Sequence, residues 1–398
     1  MALNHFPQIV TNGLAFYYDM GNPQKSWKGA PSTNLASWNV AAQGFSTDTP
    51  SNLTQTANIS EVMYEGRLSR RMVINAGGFW NCYTYTYNTG VSSTVFAASC
   101  KIKTADGSHP NTFIGGGYIY GSAANAVLGV SSFTEESDGW YRVTWVYSGA
   151  SMTLNSLTGL YGTAASSKTF FMTDYQVEAL SFSTPFAGVS GGSRSNTQSL
   201  IDLMGIHTIP ATSLTYNANN TFNFNGSTNR ITGSMPAGYT GTDNTLGRSW
   251  EVLARPGATM TTAGLFGHVL GAGCSYFCNG GICIWNGRYH FTWFDNVAYQ
   301  FLDSGVTATN GQYVHIIGTW NPADLRARIY VNGELRATGA ATNLNYGGSV
   351  NEFQVGYFSA TGNPYTGTID IAKYYYNKTL SAAEILQNFG ALRGRHGL

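Results

Sequence analysis

At 398 residues the chain is too long for one ordinary β-sandwich and is expected to hold two or three domains. Charged residues make up 10% of it, against a typical figure of about 25%, while hydrophobic residues reach 43%, which together exclude a disordered chain. A net charge of +1, with no basic run longer than Arg70-Arg71, leaves no footprint for a phosphate backbone, so nucleic acid is not an expected partner.

Met1-Ala-Leu-Asn-His-Phe-Pro7 lacks a charged segment followed by an apolar one, and no stretch reaches the roughly 18 apolar residues of a membrane span. Cytoplasmic synthesis without membrane insertion is the expectation. Strands are predicted at Thr94–Lys103, Trp140–Tyr147 and Thr169–Glu178, separated by turns rich in Gly, Ser and Asn. Gly188 to Ser199, dominated by Gly, Ser and Asn, is the predicted module boundary.

Beyond it, Thr221–Asn225, Ser249–Ala254, Tyr313–Trp320, Glu352–Tyr357 and Gly367–Tyr376 are strand-like. Two Asn-Gly pairs mark hairpins, because both residues tolerate the positive φ of a type I′ turn. Asn286-Gly287 sits within Gly281–Phe294 and Asn332-Gly333 within Leu325–Arg336. In the second hairpin Ala327, Ile329 and Val331 alternate with Arg326, Arg328 and Tyr330, which predicts one buried and one wet face. The one predicted helix begins at the capping box Ser381-Ala-Ala-Glu384, with Leu380 and Ile385 as a staple, Ile385, Phe389 and Leu392 on one face, and Gly394 placed to end it. The fold class is therefore all-β, with two antiparallel sandwich (jelly-roll) modules and a short C-terminal helix.

Several segments resemble concanavalin A-like (laminin G-like) domains of bacteriophage virion proteins. Asn12–Asn22 is similar to the opening strand, and Leu200-Ile-Asp-Leu203 and Phe222–Ile231 to the elements that follow it. Ile329–Glu334, Tyr365–Ile371 and Leu380–Phe389 are similar to the closing strands and terminal helix. Asp138-Gly-Trp-Tyr-Arg-Val143 and Tyr175–Phe186, followed by Ser193-Arg-Ser195, resemble the carbohydrate-binding-module-like jelly rolls of phage tail proteins. The order of these matches implies an insertion: residues 1–29 supply the first strand of the host sandwich, 30–193 form the guest jelly roll, and 196–398 complete the host with its helix. The resemblance implies a non-catalytic virion surface protein, a tail or baseplate fibre component or a capsid decoration, that adheres to host glycans. A polysaccharide depolymerase and a purely structural spacer are the alternatives. Other virion proteins and host surface polysaccharide are the implied partners, in a homo-oligomer that is commonly a trimer among phage appendages.

Retaining glycosidases need two carboxyls about 5 Å apart. The strand around Asp370 has one carboxylate, and Glu61/Glu65 and Glu135/Glu136/Asp138 are spaced or placed as turn acids. No Gly-x-Ser-x-Gly, His-Glu-x-x-His or Walker pattern occurs. The chain is expected to be no enzyme and to require no cofactor. Laminin G-like domains often hold Ca²⁺, which would fall to Asp19 and Asp370, with Asp243 and Asp295 as further positions. Cys274, Cys278 and Cys283 lack a well-placed fourth zinc ligand, His290 being predicted in a strand, and are expected to be free thiols. A sugar site needs exposed aromatic platforms with polar groups beside them. Trp285 and Tyr289 beside the Asn286-Gly287 turn are the candidates, with Trp80 and Tyr83 in the guest, while Trp293 is assigned to the core.

Overall fold

The computed structural model describes the whole chain except residues 1–7, 23–24, 36–57, 65–66, 75, 77, 86–89, 122–124, 185–192, 211–213, 217–221, 235–244, 270–276, 278–279, 345–351 and 358–361. At 58–62, 67–68, 78–85, 120–121, 125–127, 137, 155–158, 196 and 269 only the backbone is described. These residues divide into two compact units, one drawn from Met1–Ala30, Asn196–Asn217 and Thr221–Leu398 and the other from Pro31–Ser195. Both are built of antiparallel strands.

The first unit is a sandwich of two sheets. One runs in the order Thr215–Tyr216, Phe222–Asn225, Thr366–Tyr376, Arg248–Pro256, Val314–Asn321, Arg326–Val331, Glu334–Ala340, with Leu14–Asp19 also paired to Thr366–Tyr376. The other runs Ile231–Ser234, Glu352–Val355, Thr262–Val269, Gly281–Trp285, Arg288–Phe294, Tyr299–Thr307.

Register decides what each face presents, since alternate residues point to opposite sides. Phe16, Tyr374, Trp250, Gly318 and Ile329 share one cross-strand row, and Tyr18, Ala372, Val252, Ile316 and Val331 the next, all turned into the core. Gly318 is required there: a Cβ would lie 2.2 Å from the Phe291 ring of the facing sheet. Tyr17, Lys373, Glu251, Ile317 and Tyr330 form the intervening row on the opposite face.

That opposite face is covered by the helix Ala382–His396. Ser381 and Glu384 form the expected capping box, and Leu380, Ile385 and Leu392 are buried against Leu253, Ile317, Tyr330, Ile371 and Tyr375. Burial of each such aliphatic side chain contributes roughly 1.5–3 kcal/mol, which fixes a helix too short to be stable alone. Two details differ from the sequence expectation. The helix runs through Gly394 and ends at Gly397, whose φ of 70° makes it the left-handed cap. Tyr330, placed on a wet face by alternation, is 6% exposed because the helix covers its end of the strand.

In the second unit the long strand Tyr141–Ala164 serves two groups of neighbours. Tyr141–Thr153 pairs with Ser92–Thr104 through a register shift between Ser148 and Met152, and its start also with Ser132–Glu135, whereas from Leu154 onward the strand pairs with Ile114–Gly121 and Gly78–Tyr85. Asn58–Tyr64, Arg67–Ile74 and Lys168–Glu178 extend the first group and Asn125–Gly129 the second. Phe96, Ile102, Ile119, Trp145, Leu160, Phe170 and Met172 are in its core, where Trp145 Nε1 donates to the Tyr118 carbonyl at 3.3 Å. Thr33 pairs with Ser193 and Ser32 with Arg194, so the chain enters and leaves this unit as two paired strands. Glu178, 1% exposed, reinforces the junction by accepting from the Thr184 amide at 2.8 Å, the Thr184 hydroxyl at 2.5 Å and the Ser32 hydroxyl.

Candidate functional site

The hairpin Gly281–Trp285/Arg288–Phe294 turns on Asn286 (φ 49°) and Gly287 (φ 73°), the left-handed pair that a two-residue hairpin demands. Alternation then sorts its side chains. Ile282, Ile284, Tyr289, Phe291 and Trp293 face the core, whereas Cys283, Trp285 and His290 face away from it. Tyr289 is thus corrected as a sugar platform: it is 2% exposed, packed among core residues, and burial pushes its hydroxyl pKa upward. Trp293, 3% exposed, lies in the core as expected.

Trp285 has a different setting. It is half-buried and stacks on Phe301 of the neighbouring strand, with ring centroids 4.7 Å apart and planes at 26°. His290 meets Phe301 edge-on at 6.4 Å. Arg288, opposite Trp285 in the hairpin, reaches Asp303 with an Nη1–Oδ2 distance of 3.1 Å, and His290 Nε2 lies 3.8 Å from Asp303 Oδ1. Burial opposes ionisation of Asp303, but the Gly305 amide at 2.7 Å, Arg288 and His290 outweigh it and hold the carboxyl below its ordinary pKa. A flat apolar surface therefore lies next to an exposed guanidinium and an ionised carboxylate. That combination can stack on the apolar face of a pyranose and hydrogen-bond its hydroxyls. Beneath it, Phe277 and Cys283 are fully buried, and burial raises the Cys283 thiol pKa well above normal.

The two carboxylates proposed as calcium ligands are engaged otherwise. Asp19 accepts from Arg395 Nη2 at 2.7 Å and Nη1 at 3.0 Å, from the Tyr17 hydroxyl at 3.0 Å and from the Gly21 amide at 2.8 Å. Asp370 accepts from the Tyr313 hydroxyl at 2.7 Å and has His396 Nδ1 at 3.6 Å. Burial and Asp370 push the Tyr313 pKa up to about 12. Asp295 caps its own turn through the Val297 and Ala298 amides. Among the described residues no three His, Cys, Asp or Glu side chains converge as metal ligands, and a guanidinium already fills the Asp19 carboxylate, so these residues do not suit Ca²⁺.

A charged network missed by sequence reasoning lies under the terminal helix. Glu251, fully buried, receives Lys373 Nζ at 2.7 Å and His315 Nε2 at 2.9 Å on one oxygen, and Asn388 Nδ2 at 2.7 Å on the other. Asn388 in turn accepts from the Val10 amide at 2.8 Å. Burial works to raise the Glu251 pKa, but Lys373 and His315 overcome it and bring it down to about 2. With its oxygens engaged and no exposed surface, Glu251 is structural.

Trp80 and Tyr83 lie in the strand Gly78–Tyr85, but their side chains, like all of Cys274, Cys278 and Asp243, fall outside the described residues. Phe301, Arg288 and Asp303 were not singled out from the sequence. Arg288 lies in the hairpin itself, opposite Trp285, whereas the alternation of Tyr299–Thr307 carries no strong pattern and only its pairing with the hairpin brings Phe301 and Asp303 to Trp285.

The fold defines an all-β protein of two antiparallel units, the first a concanavalin A-like sandwich closed by a short C-terminal helix. Residues 254–386 match the laminin G-type family of the Concanavalin A-like lectin/glucanases superfamily, a span that includes the hairpin and most of its sheet partners. Among solved structures, the chain is similar to the binding domain of botulinum neurotoxin serotype G at 18% identity and a TM-score of 0.39, covering 48% of this chain and 48% of that one. The binding domain of botulinum neurotoxin DC, in complex with rat synaptotagmin II, gives 14% identity and 0.40, covering 50% of each chain. Domain 4 of AbnA, a GH43 extracellular arabinanase from Geobacillus stearothermophilus in complex with arabinotriose, gives 16% and 0.34, covering 46% of this chain and 81% of that one. The chain thus spans about half the length of the neurotoxin binding domains it matches. No curated protein sequence matches it.

Proposed function

We propose that this chain is a non-catalytic glycan-binding protein of a bacteriophage virion surface, a tail or baseplate fibre component or a capsid decoration. The observation that carries the glycan reading is the Trp285–Phe301 stack beside the Arg288–Asp303 pair, within the segment that matches the lectin/glucanase family. The virion reading, and with it the location in the particle, is supported by the resemblance of the opening strand, the closing strands and the 175–186 segment to phage proteins. The proposed partners are host surface polysaccharide and other virion proteins, in a homo-oligomer, with no cofactor required. The non-catalytic reading is supported by the engagement of Asp370 with Tyr313 and by the burial of Glu251.

The test is binding of the full chain to host-envelope polysaccharide, with Trp285→Ala, Phe301→Ala and Arg288→Ala as variants. Each aromatic loss is expected to weaken binding about tenfold, equivalent to about 1.4 kcal/mol. A wild-type chain that binds no such polysaccharide, or variants that bind it equally well, would remove the adhesin reading. Release of reducing ends from the polysaccharide would replace it with a depolymerase. Cryo-electron microscopy of virions carrying the protein tests the particle assignment separately.

A further inference from the structure

The carboxylate beside Trp285 is aimed by the main chain as well as by Arg288. Arg288 pairs with Thr307 and His290 with Asp303, so two steps along the hairpin match four along the neighbouring strand. The surplus folds into a turn at Asp303-Ser304-Gly305, where Gly305 takes a φ of 72° and its amide donates to Asp303 Oδ1 at 2.7 Å. The Val306 amide donates to the Ser304 hydroxyl at 3.1 Å and holds the same turn. With Oδ1 pinned to the chain, Oδ2 is presented to Arg288, whose Nη1 lies 3.1 Å away. His290 backs the pair: its Nδ1 donates to the Arg288 carbonyl at 3.1 Å, since a carbonyl only accepts, and its Nε2 lies 3.8 Å from Asp303 Oδ1. The Arg288 side chain is 52% exposed and that of Asp303 41%, so each reaches solvent while paired.

Charge decides what such a pair accepts. A neutral sugar with two adjacent hydroxyls can donate from one to Asp303 and accept from Arg288 at the other, with its apolar face against the Trp285–Phe301 stack. The guanidinium and the carboxylate then stay paired. A uronic or other acidic sugar brings a carboxylate of its own, whose strongest partner on this surface is Arg288. To gain a bidentate bond there it must draw Arg288 away from Asp303, which is ionised and is held in place by the Gly305 amide. Two carboxylates then face one guanidinium, and like charges set side by side lower the affinity for that ligand.

We infer that Asp303 is the specificity-determining residue of the Trp285 surface and restricts it to neutral saccharides, excluding sugars that carry a carboxylate. The assignment rests on the glycan-binding reading of that surface. It is tested by isothermal titration of the full chain with β-1,4-linked oligosaccharides of glucose, mannose and galactose, each paired with its C6-oxidised uronate. In any series that binds, the neutral member is expected to bind at least about tenfold more tightly than its uronate. Asp303→Asn removes the charge but keeps the shape and an acceptor for the Gly305 amide. It is expected to weaken the neutral member, strengthen the uronate and bring their ratio to one or below, with uronate binding that falls at high salt. Asp303→Ser, which also lacks the charge, should move the ratio the same way. A merely structural role for Asp303 would lower both affinities together and leave the ratio unmoved. A wild-type ratio near one, or a ratio that neither variant shifts, would overturn the assignment and leave the glycan reading standing. No binding of any member, by wild type or variant, would remove the glycan reading and this assignment with it.

Discussion

Asp19, on the first strand of the sandwich, is gripped by both terminal nitrogens of Arg395 in the last turn of the helix, at 2.7 and 3.0 Å. The pair joins residues 376 positions apart and fastens the helix end to the strand that pairs with Thr366–Tyr376. Removing Arg395 leaves a carboxylate that is 3% exposed with, among the described residues, the Tyr17 hydroxyl and the Gly21 amide as its donors.

Arg395→Ala is therefore expected to destabilise the first unit. Breaking a fully buried pair costs about 3–5 kcal/mol. The guanidinium side chain here is 37% exposed, so screening reduces the loss to about 1–2 kcal/mol. Urea unfolding measures it, and a midpoint equal to wild type would show that the pair contributes nothing. Melts with Ca²⁺ and with EDTA should coincide for the wild-type chain, because Arg395 already occupies the Asp19 carboxylate.

Acid should weaken the same unit through Glu251. Its folded pKa, about 2, lies below the unfolded value of about 4.3, so the stabilisation is fully present above about pH 5 and is lost as pH falls towards 2. A difference of roughly two units corresponds to about 3 kcal/mol. Glu251→Gln should flatten the acid limb of the stability profile, and an unchanged limb would assign the acid sensitivity to other carboxylates. Lys373→Ala at neutral pH, which removes the ammonium from Glu251 and leaves it to His315 and Asn388, should cost about 3–5 kcal/mol.

Two neighbours across the Asn286-Gly287 turn should behave oppositely. Tyr289→Ala opens a cavity in the sandwich core and is expected to cost about 3–5 kcal/mol. Trp285→Ala, on the outward face, should cost less stability and act mainly on glycan affinity. Thermal melts and titrations on both variants test this, and a Trp285→Ala loss as large as that of Tyr289→Ala would make Trp285 a packing residue.

The six residues Leu14–Asp19 are all buried and pair with Thr366–Tyr376. A fragment of residues 196–398 would expose that edge and the core row containing Phe16 and Tyr18, so it should fold poorly, and adding a peptide of residues 8–22 should restore signal. Residues 30–193 expressed alone should stay soluble and melt cooperatively. A cooperative melt of 196–398 at the full-length temperature would dismiss the role given to the first strand.

What the sequence determined by itself was local. Asn286-Gly287 and Asn332-Gly333 impose their turns because few other residues adopt positive φ at low cost, and Ser381 with Glu384 starts the helix through contacts three residues apart. The all-β class follows from many such turns between apolar runs. The tertiary structure decided which side of each strand is buried, and so separated Tyr289 from Trp285. It also placed Asn388 and Lys373 on Glu251, and it brought Phe301 and Asp303 beside Trp285 and Arg288. A strand's own pattern gives only a period of two, leaving open which set faces inward wherever both faces are covered, and the helix over Tyr330 removes the polar face that would have marked the difference. Partners 122 or 137 positions away in the chain, as Lys373 and Asn388 are from Glu251, leave no local trace, because their energies exist only once register and docking bring them within hydrogen-bond distance.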